Sequence, residues 1–275
     1  MSNQDQLAWE RRLAPLAALA AAVAAGVLFT QIVLEQAVVL ADRPETTRGY
    51  LLAVDEHAGT LIVSRVMQAI GSIALLVVLW YLFKATRHRR PELPGVLIYL
   101  VYAGPLLYGL GGLLGVLDQI DVADTFASGE PTLGEEGEER ADDLSGSPGV
   151  PVIATSAAGG LAVAILFVLV SLNAMRAGLV SRFTGILGVI VGALTVLPLF
   201  PGGSIVIEVF WLGSLIALFT DRWPGGRGRA WSSGRAEVWP TAAQRRAAAA
   251  EAEAPPEPAE PERKPSRKRN RKKRR

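Results

Sequence analysis

The sequence predicts an all-α protein: a polytopic bundle of six transmembrane helices with both chain termini on the cytoplasmic side. Half of the 275 residues are hydrophobic and the mean hydropathy is +0.30, whereas soluble domains carry more charge. Six segments are apolar over the roughly 20 residues that a bilayer-crossing helix needs. The charge is also uneven, because residues 1–221 are acidic overall and residues 222–275 are basic.

The six predicted spans follow the apolar runs closely. The first run is longer than the roughly 7–15 apolar residues of a signal peptide, so we expect it to be a retained anchor. The last two spans are separated only by residues 201–203, Pro-Gly-Gly, which predicts a tight turn between antiparallel helices. The spans cover residues 13–34, 63–83, 95–117, 150–173, 181–200 and 204–220.

Lysine and arginine residues predict the orientation, because they are enriched in cytoplasmic loops. The flanks assigned to the cytoplasmic side carry Arg11, Arg12, Lys84, Arg87, Arg89, Arg90, Arg176 and Arg182, and the opposite side carries Arg43, Arg48 and Arg140. Six spans, an even number, also place both termini on one side. The Ala-, Gly-, Pro- and Arg-rich composition is typical of a GC-rich bacterial genome, so the expected location is the bacterial cytoplasmic (inner) membrane.

Three segments lie outside the predicted spans. Residues 119–149 form an acidic outer loop that is rich in Gly and Ser, and we expect it to be disordered because it has too little apolar surface to bury. Residues 41–60 either extend the second helix or form a short amphipathic helix. Residues 222–275 are predicted to be a disordered cytoplasmic tail.

The end of this tail carries ten Lys and Arg residues in its last thirteen positions. Each basic side chain near an anionic bilayer contributes about 1 kcal/mol of attraction, so lipid headgroups are the favoured partner. Phosphates of nucleic acid or the ribosome attract the same charges without specificity, and the third alternative is no discrete partner. The residues expected to contact lipid or phosphate are Arg267, Lys268, Arg269, Arg271, Lys272, Lys273, Arg274 and Arg275.

Glu208 interrupts the sixth apolar segment. It lies about five residues, or about 7 Å, inside the predicted helix. Glu35 near the outer end of the first span, and Arg65 with Gln68 near the start of the second, share this depth. An ionised group in lipid is costly and normally pairs inside the bundle, so we expect Arg65 to pair with Glu208, Glu35 or both. Such a cluster is either a polar clip between helices or a proton- or ion-handling site in which Glu208 titrates.

Small residues and one proline mark the interiors of the later spans. Residues of this size four positions apart let helix backbones approach closely, so packing is the favoured role of Gly111, Gly115, Gly188 and Gly192. Pro105 lies within the third span and lacks a backbone donor, which predicts a kink or a break there. A kinked helix beside glycines can also line a cavity.

The residue patterns of common catalytic and metal centres are missing. The chain has no cysteine, its histidines His57 and His88 lie outside the predicted spans, and no HExxH, GxSxG or P-loop motif occurs. We therefore expect no enzyme activity, no cofactor and no metal. The favoured role is structural or interaction-based, and the alternative is a small transporter or channel that uses the region of Glu35, Arg65 and Glu208.

The stretch NAMRAGLVSRFTGILGVIVGALTVLPL, residues 173–199, resembles uncharacterised bacterial six-helix membrane proteins. In those proteins a short basic loop with a Gly-Leu-Val/Ile-Ser/Pro-Arg pattern precedes a Gly-rich helix. The segment RRLAPLAALAAAVAAGVLF and the number of spans are similar too. The resemblance covers residues 10–222 without the acidic loop, and it implies a membrane protein of unknown function with no catalytic residue.

Overall fold

The computed structural model describes residues 2–39, 41, 44–146, 148–197, 203–224, 226–240 and 243–244. Its contacts divide the chain into two compact units, Met1–Trp239 and Pro240–Arg275. In the second unit only residues 240, 243 and 244 are described, and residues 243 and 244 are helical. The eight basic residues predicted to contact lipid or phosphate therefore lie outside the described residues.

The described part of the first unit is all-α and contains no strand. Four of its helices are long, and three short ones lie at the ends of the bundle. The bounds are α1 Asn3–Leu34, continued by a π-helical turn at Glu35–Val39, α2 Thr47–Glu56, α3 Ala58–Arg89, α4 Leu97–Ser128, α5 Gly134–Leu144, α6 Val150–Arg176, α7 Arg182–Val196, α8 Gly203–Phe219 and α9 Ala230–Ser233.

Hydroxyl side chains fix several helix starts. The Ser2 hydroxyl accepts a hydrogen bond from the Asp5 amide, and the Asp5 carboxylate accepts one from the Ser2 amide, which completes a capping box at α1. The Thr46 hydroxyl accepts a backbone amide hydrogen bond at the start of α2, and the Ser181 hydroxyl accepts one at the start of α7. The residue before each of these three helices therefore predicts where the helix begins.

The six apolar helices form a closed ring in which each packs on the next. The order is α1, α3, α4, α6, α7 and α8, and α8 returns to pack on α1. α3 also contacts α6 across the ring. Consecutive helices run antiparallel: Glu10 at the start of α1 meets Arg89 at the end of α3, and Gly111 in α4 meets Ser156 in α6. Below, the end that holds Glu10 and Arg89 is called the Arg89 end, and the opposite end is called the Arg65 end.

In the part of the chain that the structure describes, four helices are long and apolar enough to cross a membrane: Asn3–Ala37, Ala58–Arg89, Leu97–Ser128 and Val150–Arg176. They contain the first, second and fourth predicted spans, and all of the third except residues 95 and 96. α7, with 15 residues, and the apolar helix Ile205–Phe219 are shorter. At about 1.5 Å per residue each measures about 22 Å, against roughly 30 Å for the hydrocarbon core of a bilayer. The fold is therefore compatible with a membrane-embedded protein.

The prediction that residues 119–149 are disordered is wrong for most of this segment. α4 continues to Ser128, and α5 follows at Gly134–Leu144. A second apolar core orders both helices against α2 and the start of α3, since Phe126 and Ala141 are fully buried in it. Residues spaced three or four apart, such as Ala123 and Phe126, give the acidic segment one apolar face. α2 is the separate amphipathic helix that was one of the two alternatives for residues 41–60.

The predicted boundary of the tail at residue 222 also differs from the structure. The first compact unit extends to Trp239, and its last described segment includes the short helix α9. The side chain of Trp231 is only 7% exposed. Two tryptophans give this segment enough apolar surface to dock, although its glycines and arginines resemble a flexible linker.

Gly111, Gly188 and Gly192 allow the close helix contacts that were predicted. A Cβ at Gly111 would stand 2.9 Å from the Ser156 Cα, and one at Gly192 would stand 2.7 Å from the Ala164 carbonyl oxygen. At Gly188 a Cβ would overlap the Ser171 hydroxyl. Gly115 is looser, because its nearest neighbour, the Val152 side chain, would be 3.7 Å away.

Pro105 is buried inside α4, and the helix runs through it without a break. Its neighbour Gly104 packs against α6.

Candidate functional site

The polar cluster at the Arg65 end joins α1 to α3. The Arg65 Nη1 atom lies 3.1 Å from Glu35 Oε1 and donates a hydrogen bond of 2.9 Å to Gln68 Oε1. Glu35 also accepts a hydrogen bond from the Ser64 hydroxyl at 2.9 Å. The structure thus brings together three of the four residues that the sequence placed at one depth.

Gln31 completes this cluster from α1. Its side-chain nitrogen lies 3.4 Å from both Glu35 Oε1 and Gln68 Oε1, whereas its own buried Oε1 has no hydrogen-bond partner among the described residues. Gly112 of α4 lies against the Gln68 amide. The side chains of Arg65 and Glu35 remain 26% and 23% exposed, so the ion pair is partly open to its surroundings.

Glu208 does not join the ion pair. It lies on α8, which packs against α1 and α7, and its side chain is half-buried. Within the described part of the chain, no hydrogen bond or ion pair reaches its carboxylate. Of the two partners predicted for Arg65, the structure therefore supplies Glu35.

A cavity of about 400 Å³ adjoins the cluster. Arg65 lines it from α3, and the glycines Gly111, Gly112 and Gly115 line it from α4. These glycines leave this face of α4 without side chains over a little more than one turn. The remaining lining residues come from α2, the outer part of α4, the residues after α5, and α6: Tyr50, Leu51, Val116, Asp118, Gln119, Val122, Ser145, Gly146, Pro148, Val152 and Ser156.

Tyr50 and Gln119 bridge α2 and α4 at this cavity. The Gln119 amide donates a hydrogen bond to the Tyr50 hydroxyl. Burial raises the pKa of Tyr50, and the positive charge of Arg65 partly offsets that effect. Uncharged Tyr50 is therefore the stable form in this wall.

A second ion pair, between Glu10 and Arg89, was not predicted from the sequence. Two nearly parallel contacts of 2.5 and 2.8 Å join the guanidinium to the carboxylate, and both side chains are almost fully buried. Arg89 also donates to the carbonyls of Ala85 and Ala230, at 2.9 and 2.7 Å. Gln6 donates to the Glu10 carboxylate at 2.9 Å. Hydrogen bonds thus satisfy the pair on every side, as a buried charge requires.

Residues 226–239, here called the C-terminal strap, cover this ion pair. Trp231 stacks on Tyr81 and donates a hydrogen bond of 2.8 Å from its indole nitrogen to the Leu179 carbonyl. Arg227 donates to the carbonyls of Leu218 and Phe219 in the last turn of α8, where helix carbonyls lack partners within the helix. The strap therefore ties α3, the α6–α7 connection and α8 together.

Gly178 lets the strap approach the α6–α7 connection. Its φ is +75°, and a Cβ there would overlap the Glu237 carbonyl oxygen. The Glu237 amide donates to the neighbouring Ala177 carbonyl at 3.3 Å. The sequence analysis used Arg89 only as one of the basic loop residues that predict the orientation. In the sequence Glu10 is followed directly by Arg11 and Arg12, so no local signal marked Arg89 as its partner.

The structure shows no candidate metal centre in the described part of the chain, where no three Asp, Glu or His side chains lie close enough to hold an ion. His88 contacts Asn3, its ring Nε2 lying 3.2 Å from the Asn3 Oδ1.

No protein-family model matches the chain, and no curated protein or solved structure is similar enough to match it. The resemblance of residues 173–199 to uncharacterised six-helix membrane proteins therefore stays a prediction.

Proposed function

We propose that the chain is an integral membrane protein whose six apolar helices all cross the bilayer. The observation that carries this proposal is the outer surface of the bundle, where every ring helix exposes large apolar side chains. A soluble protein rarely exposes so much apolar surface, whereas lipid tails cover it without cost. Examples are Leu19 and Phe29 in α1, Ile70 and Ile73 in α3, Tyr102 and Leu106 in α4, Ile153 and Leu161 in α6, Ile186 and Ile190 in α7, and Val206 and Phe210 in α8.

The charges of the two ends support an orientation with the Arg89 end in the cytoplasm. Exposed or half-exposed basic residues at that end include Arg11, Lys84, Arg87 and Arg182, whereas α5 and the end of α4 are acidic. Basic loops stay preferentially on the cytoplasmic side. The short α7 and α8 would be accommodated by local bilayer thinning or by their flanking residues. The compartment would be a bacterial cytoplasmic membrane.

Because the chain has no cysteine, single cysteines report this topology without background. An impermeant maleimide added to intact cells should label Glu139→Cys and Gly202→Cys. It should label Arg87→Cys and Arg235→Cys only after the cells are permeabilised. If Gly202→Cys behaved like Arg87→Cys, α7 and α8 would not cross, and the six-span proposal would be wrong.

Within the membrane, the role that the geometry supports best is a structural or interaction role. Both ion pairs join α1 to α3, and side chains and carbonyls around Glu10 and Arg89 occupy most of the hydrogen-bonding groups of that pair. Contacts of this kind between helices contribute roughly 0.6–1.7 kcal/mol and need no transported substrate. The basic tail would add attraction to anionic lipid headgroups. Deleting residues 240–275 should then weaken binding of the purified protein to anionic vesicles but not to neutral ones.

A second candidate is a small transporter or channel. The specific observations are the cavity that Arg65 lines and the half-buried Glu208, whose carboxylate has no partner among the described residues. Glu208→Gln separates the two roles. Loss of a solute or proton flux at unchanged protein abundance would support transport, whereas reduced abundance with no flux phenotype would support packing. Val206→Gln, which adds an amide at an exposed position of α8, controls for the polar side chain.

A further inference from the structure

The cavity at the Arg65 end has the size and the mixed lining of a ligand site. Its volume of about 400 Å³ lies within the roughly 300–1,000 Å³ of small-molecule pockets. One guanidinium, Arg65, and one carboxylate, Asp118, line it together with neutral polar groups. Apolar side chains, among them Val116 and Val152, form much of the remaining wall. A pocket with both charge signs and an apolar wall fits a compact zwitterion.

Arg65 has donors left for an anionic group. Its contacts with Glu35 and Gln68 both use the Nη1 atom, and among the described residues Nε and Nη2 have no partner. Nε and Nη2 form one edge of the guanidinium, which matches the two oxygens of a carboxylate or a phosphate. Glu35 and Gln68 hold this edge in place before any ligand arrives.

Asp118 supplies the opposite charge. Its side chain is half-buried on α4, and no hydrogen bond or ion pair within the described part of the chain reaches it. Gly149 leaves space beside this carboxylate, because a Cβ there would stand 3.6 Å from Asp118 Oδ1. A partly desolvated carboxylate without a partner is costly, and a ligand ammonium would offset that cost.

We propose that this cavity binds a small zwitterion, with its carboxylate or phosphate on Arg65 and its ammonium on Asp118. Two sources share this chemistry: a free α-amino acid and the phosphoethanolamine headgroup of a lipid. The inference goes beyond the proposed function. It concerns binding by the solubilised protein, so it stands or falls independently of the topology experiment.

The test uses the full chain in a non-ionic detergent and two probes, L-leucine and O-phosphoethanolamine. Calorimetric titration should give a Kd of about 1 mM or tighter for at least one probe. Binding of leucine alone would identify an amino acid as the ligand class. Binding of phosphoethanolamine alone would identify a lipid headgroup. Analogues that lack one charge should bind at least tenfold more weakly: 4-methylpentanoate and 3-methylbutylamine for leucine, ethyl phosphate and ethylamine for phosphoethanolamine. No binding of either probe, or equal binding of the single-charge analogues, would overturn the proposal.

Variants locate the site. Asp118→Asn should weaken binding at least tenfold, whereas Asp124→Asn, an exposed position of the same helix, should not. Gly115→Leu fills the cavity without touching either charge and should abolish binding, whereas Gly59→Leu, exposed in α3, should leave it unchanged. Arg65→Gln is a weaker test, because it also removes the ion-pair partner of Glu35. Its binding is therefore interpreted together with an unfolding curve of the same variant. Full binding by a folded Asp118→Asn or Gly115→Leu protein would also overturn the proposal.

Discussion

The two ends of the bundle join the same two helices, α1 and α3, in different ways. At the Arg89 end, α1 and α3 are joined by an ion pair that is almost fully buried and covered by the C-terminal strap. At the Arg65 end, the same helices are joined by an ion pair that stays about one-quarter exposed beside a cavity. Arg89 also donates to backbone carbonyls, whereas among the described residues Arg65 contacts the side chains of Glu35 and Gln68.

This difference teaches which end the fold depends on. A buried charge that loses its partner costs several kcal/mol, whereas a partly exposed pair contributes about 1 kcal/mol or less. Arg89 also donates to backbone carbonyls. A side-chain substitution does not remove these acceptors, so the backbone fixes the groups around Arg89. The Arg89 end is therefore the rigid anchor of α1 and α3, and the Arg65 end has side chains free for binding.

The largest expected effect is at the buried ion pair. Arg89→Met leaves Glu10 buried without a cation and should lower the free energy of unfolding by about 3–5 kcal/mol, measured by denaturant titration in mixed micelles. Glu10→Met combined with Arg89→Met removes both charges and should be more stable than Arg89→Met alone. Arg90→Met serves as the control, because within the described residues Arg90 pairs with the exposed Glu92. Equal stability of Arg89→Met and Arg90→Met would contradict an anchor at this end.

The strap should give the next effect. Trp231→Ala removes a buried ring, its hydrogen bond to Leu179 and its stacking on Tyr81, and should cost about 3 kcal/mol. The strap should then be cut by protease at residues 226–239 well before the helices unfold. Val238→Ala, in the same segment but 75% exposed, should leave the cleavage rate unchanged. A strap that resisted cleavage equally in both variants would not depend on Trp231.

Two glycines of α4 offer a matched pair toward the Arg65 end. Gly111→Ala pushes a methyl group against the backbone of Ser156 and should destabilise the protein by roughly 1–3 kcal/mol. Gly115→Ala meets only ordinary contact distances and should be neutral or stabilising by up to about 1 kcal/mol, because alanine favours a helix. Unfolding curves of the two variants check this order, and a reversed order would argue against close packing of α4 on α6.

The exposed ion pair should matter less. Glu35→Gln keeps a hydrogen-bonding side chain beside Ser64 and Arg65 but removes the charge, and we expect a loss of about 1 kcal/mol. The same titrations as for Arg89→Met give the comparison directly. A loss as large as that of Arg89→Met would mean that the two ends anchor the helices equally.

The smallest effect concerns pH. Because burial raises the pKa of Tyr50, the folded state holds the phenolic proton more tightly than the unfolded state does. This contribution is fully present below the ordinary tyrosine pKa of about 10 and is lost as the pH rises through the folded value. Unfolding curves between pH 9 and 11 should therefore show a loss of stability that is reduced in Tyr50→Phe. An equal loss of stability in both proteins would mean that groups other than Tyr50 cause it.

Much of this architecture could be predicted from the sequence. The apolar runs gave the six ring helices in order, because a run of 20 apolar residues has few alternatives to a helix. The shared depth of Glu35, Arg65 and Gln68 followed from counting residues along antiparallel helices. Spacing of small residues likewise indicated contacts at Gly111, Gly188 and Gly192.

The rest depends on contacts between distant segments. The acidic composition of residues 119–149 predicted disorder. A few apolar side chains on one face nevertheless order this segment, because α2 supplies the other half of a small core. The Glu10–Arg89 pair joins residues 79 positions apart and needs the Ala230 carbonyl, 141 positions further on. Neither partner can be inferred from local sequence. The cavity is similar, since its walls come from four helices and the residues after α5.

The Ala230 carbonyl also has a consequence for biosynthesis. The guanidinium of Arg89 is fully coordinated only when the ribosome has made nearly the whole first compact unit, since its last acceptor, the Ala230 carbonyl, follows α8. Chains released early would present an incompletely coordinated cation and an uncovered aromatic surface at this end of the bundle. Finished copies would therefore differ from such fragments in the coordination of Arg89.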